Sequence, residues 1–324
     1  MMGWRSLVPH RVRRVAGRMR DRLRSAAVVL LYHRVVHLDA DPWALAVRPE
    51  RFREHLDVLA RCGRVRALGD LATTVAAGRA PGRSVVLTFD DGYADFRTAA
   101  LPELERVSLP ATLFVTTGGV DRPAEFWWDQ LERIVLRASC LPPELELTIG
   151  GERRCWSVGD DGPSRVALYA TLHPLLGRLA ADARADALAA LGAWASVPAE
   201  PRPTHRSLSA SELADVAASP LIEVGAHSVS HPYLTALPVA EQRREIETSR
   251  AQLEAIAGPV RHFSYPHGDC TADTIALVRA AGFAAACGTA CRAVHGGSDV
   301  FALPRVEVPD LGGADFERWL GEWC

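Results

Sequence analysis

The chain has 324 residues, of which 48% are hydrophobic and 23% charged, so it can form one large globular domain or one domain with a sizeable insertion. Its formal net charge of -2 argues against nucleic acid as the main partner, because no basic excess is available to neutralise phosphates. No apolar run reaches the roughly 18 residues of a membrane span, and no signal-peptide core follows the basic start, so we expect a cytoplasmic protein.

Basic residues are concentrated at the N-terminus. Eight arginines but one acid, Asp21, lie between Arg5 and Arg24. This segment, residues 1–24, suits either a solvated arm or a peripheral contact with the anionic inner face of a membrane. The seven cysteines form no Cys-x-x-Cys pair and no framework spacing, which is typical of thiols in a reducing cytoplasm.

Strand-like and helical segments alternate in the first third of the chain. "SAAVVLLYHRVV" (residues 25–36) predicts a buried strand, and "RPERFREHLDVLARCG" has helical spacing with a glycine stop. "SVVLTFDDG" predicts the next strand, "YADFRTAALPELERVS" a helix broken at Pro102, and "PATLFVTTGGV" another buried strand. This alternation predicts parallel strands with helical crossovers.

The middle of the chain has a different pattern. Residues 121–206 contain two helical stretches and a short polar hairpin, "LELTIGGERRCWSV", but no strong buried strand. We interpret this region as an insertion that covers one end of the sheet. Its adjacent Trp127 and Trp128 either stack on a pyranose ring, as exposed aromatics do in sugar-binding clefts, or pack within a helical core.

The alternation resumes after residue 206. Helices are predicted at "SLSASELADVAAS", residues 238–258 and "ADTIALVRAAG", and strands at "LIEVGAHS", "VRHFS", "FAAACGT" and "FALPRVEV". About seven strands paired with helices favour a barrel over an open sheet, and no glycine-rich nucleotide motif or phosphate loop occurs. We therefore expect residues 25–324 to form a single α/β barrel, of the distorted (β/α)7 type, interrupted by the insertion.

Chemically reactive side chains follow four of the predicted strands. In parallel alternating folds such groups collect at the C-terminal strand ends, and here they are His33, the pair Asp90-Asp91, His227 and the "SYPHG" loop. A structural turn is the alternative explanation for the acidic pair alone, but it does not account for the histidines.

The spacing within "HSVSHP" indicates a metal site. His227 and His231 are four residues apart, and with one carboxylate from elsewhere they make a three-ligand site with an open position. A metal in such a site lowers the pKa of bound water towards about 7 and polarises a carbonyl group. One acid of the pair can then bind the cation while the other acts as a general base.

Three motifs, "LTFDDGY", "HSVSHP" and "FSYPHG" in this order, resemble those of the polysaccharide deacetylase family with the NodB-homology domain. Members of that family are metal-dependent enzymes that remove N-acetyl groups from amino sugars on a distorted (β/α) barrel. The resemblance extends over most of residues 26–308, apart from the insertion. It implies Asp90 as the catalytic base and Asp91, His227 and His231 as ligands of a divalent metal, usually Zn²⁺.

The resemblance also implies a loop that contacts the oxyanion through the backbone N–H near His267. That loop consists of Tyr265, Pro266, His267 and Gly268, and His267 stands where relatives often have tyrosine. Many relatives have a base-orienting arginine at the position of Ser264, and Arg305 in "LPRVEV" is the candidate replacement here.

The general acid of the family is usually a histidine in a late motif, which this chain lacks, since His295 lies in a polar glycine-rich loop. "LLYHRV" resembles instead the circularly permuted poly-N-acetylglucosamine deacetylases, in which the acid histidine comes early. The resemblance therefore implies His33 as the general acid, and a barrel histidine with a purely structural role is the alternative.

The expected activity is hydrolysis of an N-acetyl or other N-acyl group from an amino sugar of a glycan or glycan precursor. The same chemistry could act on a lipid-linked sugar, a nucleotide sugar or a small metabolite. A non-catalytic sugar-binding module is the alternative from another class of protein. The intact set of Asp90, Asp91, His227 and His231 argues against that module.

Overall fold

The computed structural model describes residues 26–122 and 124–323. The predicted basic arm, residues 1–24, lies outside the described residues, so its contact with a membrane stays a prediction. Within the described ranges, no helix combines the length and the apolar character that crossing a membrane requires.

Eleven short strands occur within the described residues, and seven of them form the central sheet. In chain order the strands are β1 (Val28–Tyr32), β2 (Arg34–Val35), β3 (Ala46–Val47), β4 (Val85–Phe89), β5 (Ala111–Val115), β6 (Glu144–Ile149), β7 (Glu152–Ser157), β8 (Ile222–Ala226), β9 (His262–Ser264), β10 (Ala285–Cys287) and β11 (Val306–Glu307). The central sheet has the order β10-β9-β8-β5-β4-β1-β11, and every pairing in it is parallel. The parallel alternation predicted from the sequence is confirmed.

The two edges of this sheet are joined by residues 300–307, here called the closing segment. The N–H of Ala286 donates to the carbonyl of Val300 (2.9 Å), and the N–H of Leu303 donates back to the carbonyl of Ala286 (2.9 Å). The same segment continues directly into β11, which pairs with β1 at the other edge. The sheet therefore curls into the predicted distorted (β/α) barrel.

Ten α-helices surround and extend the sheet within the described residues. They are α1 (Pro49–Cys62), α2 (Leu68–Ala76), α3 (Leu101–Val107), α4 (Trp127–Leu136), α5 (Gly162–Gly177), α6 (Ala181–Trp194), α7 (Ala210–Ala218), α8 (Val239–Ala257), α9 (Ala272–Ala280) and α10 (Gly313–Leu320). Helices α2 and α10 were not predicted. The break predicted at Pro102 is a π-helical turn, Phe96–Ala100, after which Pro102 lies in the first turn of α3, where its missing N–H costs little.

The two-residue period of β4 directs the first acid of the motif into the barrel. Val86 belongs to the core inside the barrel, whereas its strand neighbours pack against the surrounding helices. The same period places Thr88 and then Asp90 on the inner side. Arg305 contacts both of these side chains from the closing segment. The interior above the apolar core is therefore polar and charged.

The elements between residues 127 and 194 pack around a separate apolar core. The predicted hairpin is present as β6 and β7, with its buried side chains on one face. The second of the two helical stretches predicted here, residues 176–195, forms the end of α5 and all of α6, with a break at residues 178–180. The proposed limits of the insertion, about residues 121 and 206, stay a prediction.

Candidate active site

Asp90 and Asp91 come directly after β4, at the C-terminal end of the barrel. The N–H of Asp90 donates to the carbonyl of Tyr32 on β1 (3.0 Å), which extends the sheet by one residue. Asp91 then adopts a φ of 76°, a left-handed conformation that aspartate tolerates better than most residues. This turn brings both carboxylates to the same place, since each has an oxygen 3.6 Å from Nε2 of His227.

Asp91, His227 and His231 form a compact three-residue cluster. The two Nε2 atoms are 3.1 Å apart, and Oδ1 of Asp91 lies 3.4 Å from Nε2 of His231. Nδ1–H of His227 donates to the carbonyl of Ser264 (2.8 Å), which fixes the tautomer with a lone pair on Nε2. All three side chains are buried.

This cluster fits a divalent metal ion. Oδ1 of Asp91 is buried and has no hydrogen-bond partner among the described residues. Buried polar atoms are normally paired, so this oxygen is suited to bind a cation. The spacing of the imidazole nitrogens is close to the ~3.3 Å that two ligands in a tetrahedral zinc site would have. Burial lowers the pKa of both histidines, so the rings are in the neutral form that binds metals.

Charge at Asp91 supports the same conclusion. Burial, and then the negative charge of Asp90, raise the pKa of Asp91 well above its usual range. A cation beside this carboxylate would remove the penalty and keep it ionised. The donor set of two imidazoles and one carboxylate suits a borderline ion such as Zn²⁺.

Asp90 is held by Arg305 in a buried, bidentate ion pair. Nη1 and Nη2 of Arg305 donate to Oδ1 and Oδ2 of Asp90 at 2.7 Å each, and Oγ of Ser264 donates to Oδ2 at 3.2 Å. Burial alone raises the pKa of Asp90, but the Arg305 charge outweighs it and holds the pKa below its usual range. Asp90 is therefore ionised and fixed in orientation.

Arg305, the candidate replacement for the base-orienting arginine of many relatives, contacts the carboxylate of Asp90. Its side chain is buried, and Nε donates to the carbonyl of Gly288 (2.9 Å), just beyond β10. Nη2 also donates to Oγ of Ser264 (2.7 Å), the residue that stands where many relatives have arginine. The short serine side chain thus leaves room for an arginine that comes from a different part of the barrel.

The side chain of Tyr265, in the loop after β9, points away from the candidate active site. The Tyr265 side chain is buried in the apolar core, and its hydroxyl donates to the carbonyl of Phe301 (3.0 Å). The structure therefore does not place this side chain near the cluster of Asp91, His227 and His231. The reason is strand parity: Ser264 points to the barrel interior and Tyr265 to the opposite side.

One amide of this loop has no hydrogen-bond partner among the described residues. Pro266 has no N–H, and the N–H of Gly268 donates to the carbonyl of Tyr265 (2.8 Å). His267 has a φ of 58°, and its N–H forms no hydrogen bond with any residue that the structure describes. Its ring stacks on Tyr233 at 3.9 Å and lies 4.5 Å from the ring of His231. The ring of His267 therefore lies beside the cluster of Asp91, His227 and His231.

His33 follows β1 and is half-buried at the same end of the barrel. Burial lowers its pKa to about 4, while the nearby charge of Asp90 opposes this effect and those of Arg305 and His227 add to it. His33 thus belongs electrostatically to the group around Asp90, and its ring is neutral at pH 7.

Trp127 and Trp128 are buried rather than open to a sugar. They expose 6% and 5% of their surface, so neither offers a free ring face. Nε1 of Trp127 donates to the carbonyl of His231 (3.4 Å), and the ring of Trp128 lies 4.5 Å from that of His231. Both side chains instead pack in the apolar core of this region, which was the alternative to sugar stacking. Both indoles also contact His231 of the three-residue cluster.

The sequence analysis missed a polar network next to the cluster. The hydroxyl of Tyr93 donates to Oδ2 of Asp129 (2.7 Å) and accepts from Nε1 of Trp128 (2.7 Å). Arg34 lies over the Tyr93 ring at 4.1 Å, and burial raises the pKa of Asp129 to about 7. Tyr93 and Arg34 stand within the quoted motifs "LTFDDGY" and "LLYHRV", but nothing in the sequence indicated Asp129 as their partner.

Comparison with protein families identifies the class of this chain. The model for the family described as "Polysaccharide deacetylase" matches residues 77–138 and 152–286, which is more than half of the chain. The chain belongs to the polysaccharide deacetylase family and is a hydrolase that acts on amide bonds of carbohydrates. The matched residues include Asp90, Asp91, His227 and His231, whereas His33 and Arg305 lie outside them.

Solved structures with the same fold cover nearly the whole chain. IcaB from Ammonifex degensii is 21% identical with a TM-score of 0.59, and the match covers 91% of this chain and 97% of that one. The Streptococcus pyogenes deacetylase PplD is 15% identical with a TM-score of 0.58, over 91% and 98% of the two chains. The deacetylase domain of BpsB from Bordetella bronchiseptica is 17% identical with a TM-score of 0.54, over 88% and 96%. A search of curated proteins gave no match.

Proposed function

We propose that this protein is a metal-dependent N-deacetylase of amino sugars in a glycan or glycan precursor, with Zn²⁺ as the metal. The observation that carries the proposal is the buried Asp91–His227–His231 cluster beside the Asp90–Arg305 ion pair. A cluster of this kind alone could be structural, but a second, ionised carboxylate next to it gives the site a base.

Each residue around the cluster has a separate task in this proposal. Asp91, His227 and His231 would hold the ion, which supplies Lewis-acid polarisation of the amide carbonyl and activation of water. Asp90 accepts a proton from the attacking water, and Arg305 keeps its carboxylate ionised and directed at that water. The N–H of His267 donates to the oxyanion as it forms.

His33 completes the proton balance. At pH 7 its ring is neutral, because burial lowers its pKa to about 4, so it can act as an acid only after it has received a proton. Asp90, which takes a proton from water, is the charged group that acts most strongly on His33. We therefore propose that the proton passes from Asp90 to His33 and then to the departing nitrogen, which leaves acetate and a free amine.

The direct test is acetate release from N-acetylglucosamine oligomers by zinc-loaded protein and by Asp90→Asn. We expect activity in the native protein and a loss of about 10²–10⁴-fold in the variant, as for removal of a general base. Activity that survives the substitution would contradict the assignment of the base. A native protein that binds zinc and sugar but releases no acetate would favour the sugar-binding module instead.

A further inference from the structure

Trp43 is an exposed tryptophan close to the active site. Large hydrophobic side chains are rarely exposed in the described part of the chain, and those that are exposed are Trp43, at 44%, and Val239. Trp43 lies in the loop between β2 and β3, just downstream of His33. An exposed indole close to a carbohydrate site can offer a ring face to a sugar.

The indole is held in a fixed orientation by the insertion. Nε1 of Trp43 donates to the hydroxyl of Tyr169 (2.8 Å), and its ring lies 4.6 Å from the ring of His173; both partners are on α5. The loop itself is fixed because the carboxylate of Asp41 accepts the N–H groups of Leu45 (2.9 Å) and Ala46 (2.8 Å). The ring is therefore pre-organised and loses little conformational entropy on binding.

The ring of His173 lies between Trp43 and His267, which belongs to the loop after β9. The ring of His173 lies 6.1 Å from the ring of His267 and 4.7 Å from the indole of Trp127. His267 in turn lies 4.5 Å from His231 of the metal cluster. Trp43 is thus too far away to contact the reacting amide, but it is near enough to contact an adjacent unit of a longer substrate.

The hollow beside Trp43 is too small for a sugar ring. Trp43, Asp41, Asp129, Glu132 and Tyr169 line a hollow of about 20 Å³. That volume holds about one water molecule, so a sugar ring would lie on the outer face of the indole and not inside the hollow. The polar groups of this hollow are already bonded within the protein, since Asp41 accepts two backbone N–H groups and the Tyr169 hydroxyl accepts from Trp43. The outer face of the indole is therefore the part that a sugar ring would contact.

We propose that Trp43 forms a subsite that stacks on a sugar ring next to the one that is deacetylated. Contact with this second ring would make an oligomer a better substrate than a monosaccharide. This inference rests on the proposed function, because it takes the metal cluster as the place where the amide is cleaved.

The kinetic test compares substrate lengths. We would measure kcat/KM for N-acetylglucosamine and for its trimer to hexamer with the native protein, Trp43→Ala and Trp43→Tyr. The expected result is a loss of roughly tenfold for the oligomers in Trp43→Ala, no change for the monomer, and retention of most oligomer activity in Trp43→Tyr. Equal losses for monomer and oligomers, or no loss for either, would overturn the subsite.

A binding measurement separates failure of the subsite from failure of the proposed function. Calorimetric titration with the hexamer, in the zinc-loaded Asp90→Asn background to limit hydrolysis, should give weaker binding when Trp43→Ala is added. Thermal unfolding of each variant checks that the fold is retained. If no deacetylation occurs but Trp43→Ala still weakens binding, the subsite stands and the activity fails. If the hexamer binds equally well with and without the indole, the subsite fails.

Discussion

The end of the barrel and the insertion contribute to the same site in different ways. At the barrel end, Asp90 and His227 each follow directly after a strand and Asp91 is one residue further on, so backbone hydrogen bonds set their positions. The insertion contributes Tyr169 and His173 through side-chain packing on a loop more than 100 residues earlier in the chain. The residues that we propose for the chemistry therefore stand in local motifs of the barrel, whereas the insertion makes its contacts near them without a sequence motif.

The strongest test of this division is removal of a metal ligand from the barrel end. His231→Ala should lose bound zinc and at least about 10³-fold in activity, because the site then has two ligands and a poorly oriented ion. Metal content by mass spectrometry and acetate release would be measured together. His37→Ala is the matched control, since that histidine is 67% exposed. Full metal binding in His231→Ala would contradict the cluster.

Substitution of Arg305 tests whether the barrel end also needs its buried ion pair. Arg305→Gln should lower kcat by about 10–10²-fold with little change in zinc content, and should lower the free energy of unfolding by ~3–5 kcal/mol because Asp90 is left as an uncompensated buried charge. Arg305→Lys should recover little, since lysine cannot make both hydrogen bonds. Arg318→Gln, at a side chain that is 73% exposed, is the control. An Arg305→Gln variant with native kcat would show that Asp90 needs no orientation.

The insertion should give smaller effects on the chemistry. His173→Ala removes the ring between Trp43 and His267, so we expect kcat/KM for oligomers to fall by roughly 3–10-fold, with unchanged zinc content. Thr171→Ala, an exposed position on the same helix, is the control. A loss as large as that of His231→Ala, at native zinc content, would mean that the insertion takes part in the chemistry, and the comparison between the two regions would then fail.

Acid should destabilise both regions together. Burial lowers the pKa of His55, in the barrel, and of His173, in the insertion, to about 4. Because both values lie below the ~6.5 of an unfolded histidine, this stability is present above pH 6.5 and is lost as the pH falls towards 4. Urea unfolding at pH 7 and pH 5 should show a decrease on the order of 1–2 kcal/mol per histidine.

A substitution isolates the contribution of the barrel. His55 contacts the Tyr32 hydroxyl and the carbonyl of Leu311, and its ring stacks on Phe316 at 3.9 Å. In His55→Gln the dependence of unfolding on pH should be shallower than in the native protein, whatever the total stability. An unchanged slope would mean that His55 does not titrate in this range.

The sequence predicted the residues whose positions depend on strand ends. The parallel alternating pattern predicted the barrel and the places of Asp90, Asp91 and His227 at strand ends, whereas Arg305 was proposed as the partner of Asp90 through the resemblance to the deacetylase family. Tyr265 was assigned to the site because it stands in a site motif, but strand parity turns it to the core.

The remaining residues could not be predicted because they depend on contacts between distant segments. Tyr169 and Trp43 are 126 residues apart, and no periodic pattern links them. The paired tryptophans drew attention as sugar-stacking residues, yet the chain buries them and exposes Trp43 instead. The exposure of each tryptophan depends on how the insertion packs against the barrel, and no local sequence motif predicts that packing.

The closing segment gives one residue two tasks. Arg305 bonds to Gly288 beyond β10, to Ser264 on β9 and to Asp90 beyond β4, so contacts that help to close the barrel also fix the carboxylate of the proposed base. Heating should therefore abolish turnover when the barrel opens, even if the helices of the insertion, which have their own apolar core, still retain structure. Heat inactivation of this enzyme would report the opening of its barrel.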